Sequence, residues 1–358
     1  MFGTAALLAT TICHGAHGQR PAGKPLIDTL QHGIVRIRNT APTAWTGTSG
    51  WRLILERTIA PPEGSTALLA EPYSLAVDRN GEIFEADWKV DGIQVFAADG
   101  RYLRTLGRKG NGPGEFQVPI EVAIRGDTLA AYASNQNRVS LWRTSGKLLV
   151  TWTMGYCCWW SPRLEAGGAL LLRTSVRVAS RNRPLAVRWA SNGTPIDTIW
   201  LPPVPEYPGW RDPHGGVFTI PFTARVVGTF DSRDSYISGF GGRYNLVVTR
   251  NGSDTVREVE LPGKPAPVPP AVADSMFKPY AASPPTRDIA RRGDIPTEQP
   301  FFTGLATDEH DNVWISRPGT DGSLASFDVI DSRGWYLGSV AAPPSRCRLM
   351  VFRNDRMF

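Results

Sequence analysis

The feature that most constrains this 358-residue chain is that it repeats itself. Leu75-Ala-Val-Asp-Arg-Asn-Gly-Glu-Ile-Phe-Glu-Ala86 aligns position for position with Leu305-Ala-Thr-Asp-Glu-His-Asp-Asn-Val-Trp-Ile-Ser316. Each copy reads as a strand, a polar turn opened by Asp78 or Asp308, and a returning strand that begins at Ile83-Phe84 or Val313-Trp314. One supersecondary unit is therefore used more than once, and such units bury their apolar faces by stacking on their neighbours.

A second hairpin follows, with a polar residue and glycine at its tip: Asp99-Gly100, Ser145-Gly146, Asn192-Gly193, Asn251-Gly252 and Arg333-Gly334. Glycine supplies the positive φ that tight hairpins demand. Adjacent tips lie 46, 47, 59 and 82 residues apart. Four strands in about 40 to 50 residues is the blade of a β-propeller, so five tips predict five blades. Ser49-Gly50, followed by Trp51–Arg57, repeats the tip pattern, and a strand over Ile34–Arg38 would complete that hairpin. Sharing one blade between the chain ends would cover the exposed sheet edges. The tail offers only Arg348–Phe352 for this purpose, so the sixth blade is expected to be thin and incomplete. The predicted fold is all-β, a six-bladed propeller of four-stranded antiparallel blades whose last blade is shared by the termini.

Three strings carry a family resemblance. Pro72-x-x-Leu75-Ala-Val-Asp78-x-x-Gly81, Val95-Phe96 with Asp99-Gly100, and Gly107-x-x-Gly110-x-Gly112-Pro-Gly114-Glu-Phe116-x-x-Pro119 together resemble the NHL-type repeat of secreted bacterial six-bladed propellers. The likeness is strongest over residues 51–149 and returns at 301–340. It implies a ligand site at the mouth of a central channel, near the starts of the inner strands. Tyr73, Glu121, Arg163 and Arg225 fall at or near those starts and are the channel-mouth binding candidates.

The glycine-rich string could itself be taken for a nucleotide loop. Gly107-x-x-Gly110-x-Gly112 lacks the Gly-Lys-Ser/Thr of a phosphate loop and the spacing of a dinucleotide fingerprint, and Pro113 and Pro119 deny the helix that both require. The expectation is an inter-blade corner. Gly107, Gly110, Gly112, Pro113 and Gly114 turn the chain, Glu115 caps backbone N–H groups and Phe116 packs between blades.

Residues 1–18 read as an export leader, with an apolar run over Phe2–Ile12 and small residues in Ala16-His17-Gly18 ahead of Gln19. Nothing else reaches the roughly 18 apolar residues of a membrane span. A secreted or periplasmic location is expected, with residues 19–358 forming one propeller domain. Pro262–Pro300, with ten prolines and room for one short helix around Ala271–Tyr280, is expected to be an insertion, either a partner-binding arm or decoration.

The net charge of +6 is dispersed. The basic runs Arg173–Arg188 and Arg287–Arg292 lack the aromatic interleaving that stacks bases, so no nucleic-acid partner is expected. Cys157, Cys158 and Cys347 lack the spacing of a redox or zinc motif. His32, His214 and His310 are isolated, and no Gly-x-Ser-x-Gly elbow occurs, so no catalytic residue, resident metal or cofactor is assigned. Two functions remain. One is a non-catalytic exported binding or scaffold module for a peptide, glycan or protein partner. The other is a propeller lactonase, hydrolase or lyase with a channel metal such as Ca²⁺, in which Glu121 is the one acidic residue at a suitable position.

Overall fold

The computed structural model describes residues 8–14, 24–40, 45, 50–59, 69–155, 159–178, 181–343 and 350–358. The cysteines at 157, 158 and 347 and the Ser49 half of the first hairpin tip lie outside these residues. Four strands precede the repeats: β1 (Leu8–His14), β2 (Leu26–Thr29), β3 (Val35–Arg38) and β4 (Arg52–Ile59). The first blade is β5 (Pro72–Val77), β6 (Ile83–Asp87), β7 (Ile93–Phe96) and β8 (Tyr102–Leu106). A short parallel pair, β9 (Arg108–Lys109) and β10 (Glu115–Phe116), leads to the second blade. That blade is β11 (Pro119–Arg125), β12 (Thr128–Ala133), β13 (Arg138–Arg143) and β14 (Leu148–Thr153). The third is β15 (Trp160–Leu164), β16 (Leu170–Val178), β17 (Arg181–Trp189) and β18 (Pro195–Trp200). After a small hairpin, β19 (Gly209–Arg211) and β20 (Val217–Thr219), the fourth is β21 (Val226–Phe230), β22 (Tyr236–Phe240), β23 (Asn245–Arg250) and β24 (Asp254–Glu260). Helix α1 (Pro270–Ala282) precedes the fifth, β25 (Gly304–Thr307), β26 (Val313–Pro318), β27 (Leu324–Ile330) and β28 (Tyr336–Ala341). The chain closes with β29 (Phe352–Arg353) and β30 (Arg356–Met357).

The protein is thus an all-β propeller with antiparallel four-stranded blades. The five tip glycines, Gly100, Gly146, Gly193, Gly252 and Gly334, all take positive φ between the third and fourth strands of their blades. In three blades the first turn is built by an aspartate, because one carboxylate oxygen can accept two backbone N–H groups two residues apart. Asp78 takes those of Asn80 and Glu82 at 2.8 and 2.9 Å, and Asp308 those of His310 and Asn312, both at 2.9 Å. Asp231 repeats the device in the fourth blade with Arg233 and Ser235.

Five blades are described, not the expected six. Val35–Arg38 does not hairpin with the strand after Trp51. It lies parallel on the outer strand β24 of the fourth blade, with β2 outside it, making a six-stranded sheet. The register explains the choice: Arg36 sits opposite Glu258, Ile37 opposite Val259 and Arg38 opposite Glu260. Arg36 pairs with Glu258 at 2.9 Å, Arg38 with Glu260 at 3.5 Å, and Ile37 between them is 3% exposed. Opposite charges and an aliphatic contact on alternate positions suit this edge. Strand β4 instead joins a separate sheet ordered β29-β30-β1-β4, which draws on both ends of the chain. The tail contributes two strands of two residues each rather than one longer strand, and Leu8–His14, inside the expected leader, pairs with β30 through Thr11↔Met357.

By internal contacts the chain divides into two compact units. The first comprises residues 1–13, 54–203 and 348–358, with blades one to three and the terminal sheet. Its core is made where successive blades stack. Phe84, Ala86 and Ile93 of the first blade meet Leu129, Ala131 and Trp142 of the second, and Tyr132 and Leu141 of the second meet Leu170 and Trp189 of the third. Burying side chains of this size contributes about 1.5–3 kcal/mol each.

The second unit comprises residues 14–53 and 204–347, with blades four and five. Here the proline-rich stretch is ordered. Helix α1 starts with proline in its first turn, where a missing N–H costs nothing. It packs Ala273, with Val268, Ala290 and Ile295, on Trp210 and Ile220 of the β19–β20 region. Trp210 donates its indole N–H to Asp294 at 2.7 Å. The proline-rich stretch therefore shares a small apolar cluster with the β19–β20 region. Arg317 of the fifth blade holds its start, donating to the Lys264 carbonyl at 2.9 Å and to buried Asp328 at 2.8 Å.

The glycine string forms the corner between β8 and β11. Glu115 accepts the Gly112 N–H at 2.8 Å and an Arg108 N–H at 2.9 Å, which hold its carboxyl below the usual range. Phe116 is buried and stacks on Trp142, while Arg138 donates to the carbonyls of Asn111 and Gly112. At Gly107, with φ +74°, an added Cβ would stand 2.4 Å from the Phe116 ring and 2.6 Å from the Gly114 carbonyl. Gly126, with φ +60°, has nothing within 4 Å. Gly107→Ala should therefore cost about 3 kcal/mol and Gly126→Ala about 1 kcal/mol. Urea unfolding midpoints check this, and equal losses would contradict the corner's role.

Candidate functional site

In each blade of the first unit the first strand carries a proline at or near its start, at the first residue of β5 and β11 and the third of β15. Pro72, Pro119 and Pro162 lack the N–H of a regular ladder residue, and proline is tolerated in sheets at strand starts and bulges. The ladder is irregular at all three, between Pro72 and Ser74, Pro119 and Glu121, and Trp160 and Arg163. Such bulges re-aim the side chains beside them. Two of the preceding residues, Val118 and Ser161, take positive φ of 58° and 51°, which a β-branched or bulky residue rarely does. Val118 is held by its N–H to Asp91 at 3.0 Å.

Tyr73, at the first bulge, is 47% exposed and lies 5.7 Å, centroid to centroid, from the ring of Trp88, itself 40% exposed. The backbone beneath this aromatic pair is clamped. Asp87, fully buried, accepts the N–H groups of Ala70 at 2.7 Å, Glu71 at 2.9 Å and Lys89 at 2.6 Å. The Trp88 N–H reaches the Glu71 carbonyl at 2.9 Å, and Lys89 and Glu71 face each other across 3.7 Å. One buried carboxylate thus ties down the backbone on both segments that carry the rings, while the rings stand in solvent.

At the second and third starts a polar cluster forms. Glu121 is half-buried; burial raises its pKa, opposed by the Ser161 backbone N–H and the Arg173 charge. Arg173 donates to the Ser161 hydroxyl. The Tyr132 hydroxyl accepts the Trp159 N–H at 3.4 Å and donates to Asn137 at 3.2 Å. Its pKa is raised mainly by burial, with a further contribution from Glu121. Arg163 is half-buried on β15, opposite Leu171.

The first unit therefore brings Tyr73, Glu121 and Arg163 to the starts of three successive first strands. Arg225 belongs to the second unit, where it is exposed, donates to Thr219 at 2.8 Å and lies over the Tyr207 ring. Sequence reasoning missed Trp88, Asp87, Ser161 and Arg173. A signal for Trp88 existed: extending the internal alignment sets it against Pro318, so it departs from the repeat. Among the described residues no three His, Cys, Asp or Glu side chains gather as a metal-ligand set.

Two residues before Asp87 on the same strand, Glu85 is also fully buried, with one oxygen 3.3 Å from the Gln94 amide and the other without a partner. Burial, reinforced by the charge of Asp87 and opposed by Gln94, pushes its pKa up to about 9.

No family model matches the chain and no curated protein matches it. Among solved structures, a candidate exported protein of Bacteroides fragilis aligns at 12% identity over 80% of this chain and 74% of its own, with a TM-score of 0.46. A protein of unknown function from Bacteroides caccae aligns at 14% identity over 93% and 94%, with a TM-score of 0.43. Virginiamycin B lyase from Staphylococcus aureus aligns at 11% identity over 80% and 93%, with a TM-score of 0.44. Likenesses this distant carry no argument about chemistry.

The Glu85 carboxyl stays protonated in the folded chain while an unfolded chain ionises above about pH 4.3. From there to about pH 9 the folded state holds the extra proton, so this group makes stability fall as pH rises, by about 1.4 kcal/mol per pH unit. Glu85→Gln should match the parent near pH 4 and exceed it increasingly at pH 6, 7 and 8. Denaturant titrations read the gap, and one that does not change with pH would contradict the assignment.

Proposed function

We propose that this chain is an exported, non-catalytic propeller module that binds a glycan at the first-strand starts of blades one to three. The observation that carries the reading is the exposed Tyr73–Trp88 pair on a backbone clamped by Asp87. Large rings are normally covered, and a tyrosine and a tryptophan left in solvent on a rigid base lose little entropy on binding. A sugar ring offers a flat C–H face to such rings and a rim of hydroxyls to polar neighbours. Glu71 and Lys89 flank the rings and supply one acceptor and one donor. Among the described residues no helix is long and apolar enough to cross a membrane, and export would bring this surface to extracellular glycans.

Calorimetric titration against a panel of soluble oligosaccharides and polysaccharides tests the reading. At least one should bind, and Trp88→Ala should weaken it by about tenfold or more, about 1.4 kcal/mol, with the melting temperature unchanged. A panel without a binder, or a Trp88→Ala variant that binds as the parent does, would overturn the proposal.

A further inference from the structure

The outer edge of the fourth blade accepts an added strand through a pattern of paired charges around an aliphatic contact. On β24 the added strand β3 places arginine against glutamate on either side of an aliphatic contact: Arg36 and Glu258, Ile37 and Val259, Arg38 and Glu260. Strand β4 carries the same ingredients in its own sequence, Arg52-Leu-Ile-Leu-Glu56. It ends its sheet, and among the described residues no strand pairs on its far side. Ile54 and Leu55 are 51% and 58% exposed on that edge strand, on opposite faces because side chains alternate. A long edge with bare aliphatic residues is a template for pairing with another chain.

We propose that β4 pairs antiparallel with β4 of a second copy about a two-fold axis through Ile54. In this register the two Ile54 side chains meet, Leu53 meets Leu55 of the other copy, and Arg52 meets its Glu56, each contact occurring twice except that on the axis. From Arg52 to Glu56 every opposed pair shares a face and both charges are matched, while Arg57 lies opposite Trp51. Neighbouring registers fail. Centring on Leu55 sets Ile54 against Glu56, and centring on Leu53 sets Arg52 against Ile54. The order of residues therefore selects one alignment, as a self-complementary two-fold interface requires. Arg356 already holds Glu56 in place at 2.7 and 3.2 Å, and a carboxylate has lone pairs enough for a second guanidinium. Because the register comes from β4 alone, it does not depend on β1 at the opposite edge.

Sedimentation equilibrium of the full chain over a wide concentration range tests this. The expected result is a concentration-dependent monomer–dimer equilibrium that Ile54→Lys abolishes by placing two cations on the axis. Arg52→Glu, which opposes Glu56, should weaken the dimer by about tenfold or more. Thermal melts confirm that each variant is folded; Ile54 and Arg52 are exposed, so both single substitutions should be tolerated. A monomer at every concentration, or a dimer indifferent to Ile54→Lys or Arg52→Glu, would overturn the proposal. The outcome is independent of glycan binding.

Discussion

A four-stranded sheet ends in two rows of backbone N–H and C=O groups, and how this protein covers them governs the rest of its structure. Within a blade the ladders satisfy three rows of contacts. At the turns the uncovered groups fall to carboxylates: Asp78, Asp231 and Asp308 close the first turn of their blades, and Glu115 closes the corner between two blades. On the outer edge of the fourth blade the cover is a strand, β3, fixed by paired charges around Ile37.

The same requirement shapes the candidate site. Asp87 is buried because three N–H groups around β6 need an acceptor, and meeting that need immobilises the segments bearing Tyr73 and Trp88. A residue doing structural duty thus anchors the backbone beneath an exposed aromatic surface. Glu85, two residues away, has no such set of donors, and burial keeps its proton on instead. Two buried carboxylates on one strand thus differ in the backbone donors that surround them.

Much of the blade architecture was legible in the sequence. Tip glycines, turn aspartates and the self-alignment are local signals, since positive φ and an aspartate accepting nearby N–H groups involve only residues close in the chain. The register of β3 was less legible. Arg36 and Arg38 lie more than two hundred residues from Glu258 and Glu260, and alternation of charge alone does not say which edge will accept a strand. The candidate site was half legible: Tyr73, Glu121 and Arg163 sit at repeat-equivalent starts, whereas Trp88, Ser161 and Arg173 join them through bulges and cross-strand contacts.

The sequence by itself determined an all-β chain of repeated four-stranded blades, the positions of their hairpins and the corner character of the glycine string, because short-range sterics and backbone hydrogen bonding dictate each of these. Only the tertiary structure decided the number of regular blades, the sheet that each N-terminal strand joins and the exposure of the Tyr73–Trp88 pair. Those depend on which distant edges compete for the same strand and on what packs above a side chain, and both are settled when the blades stack.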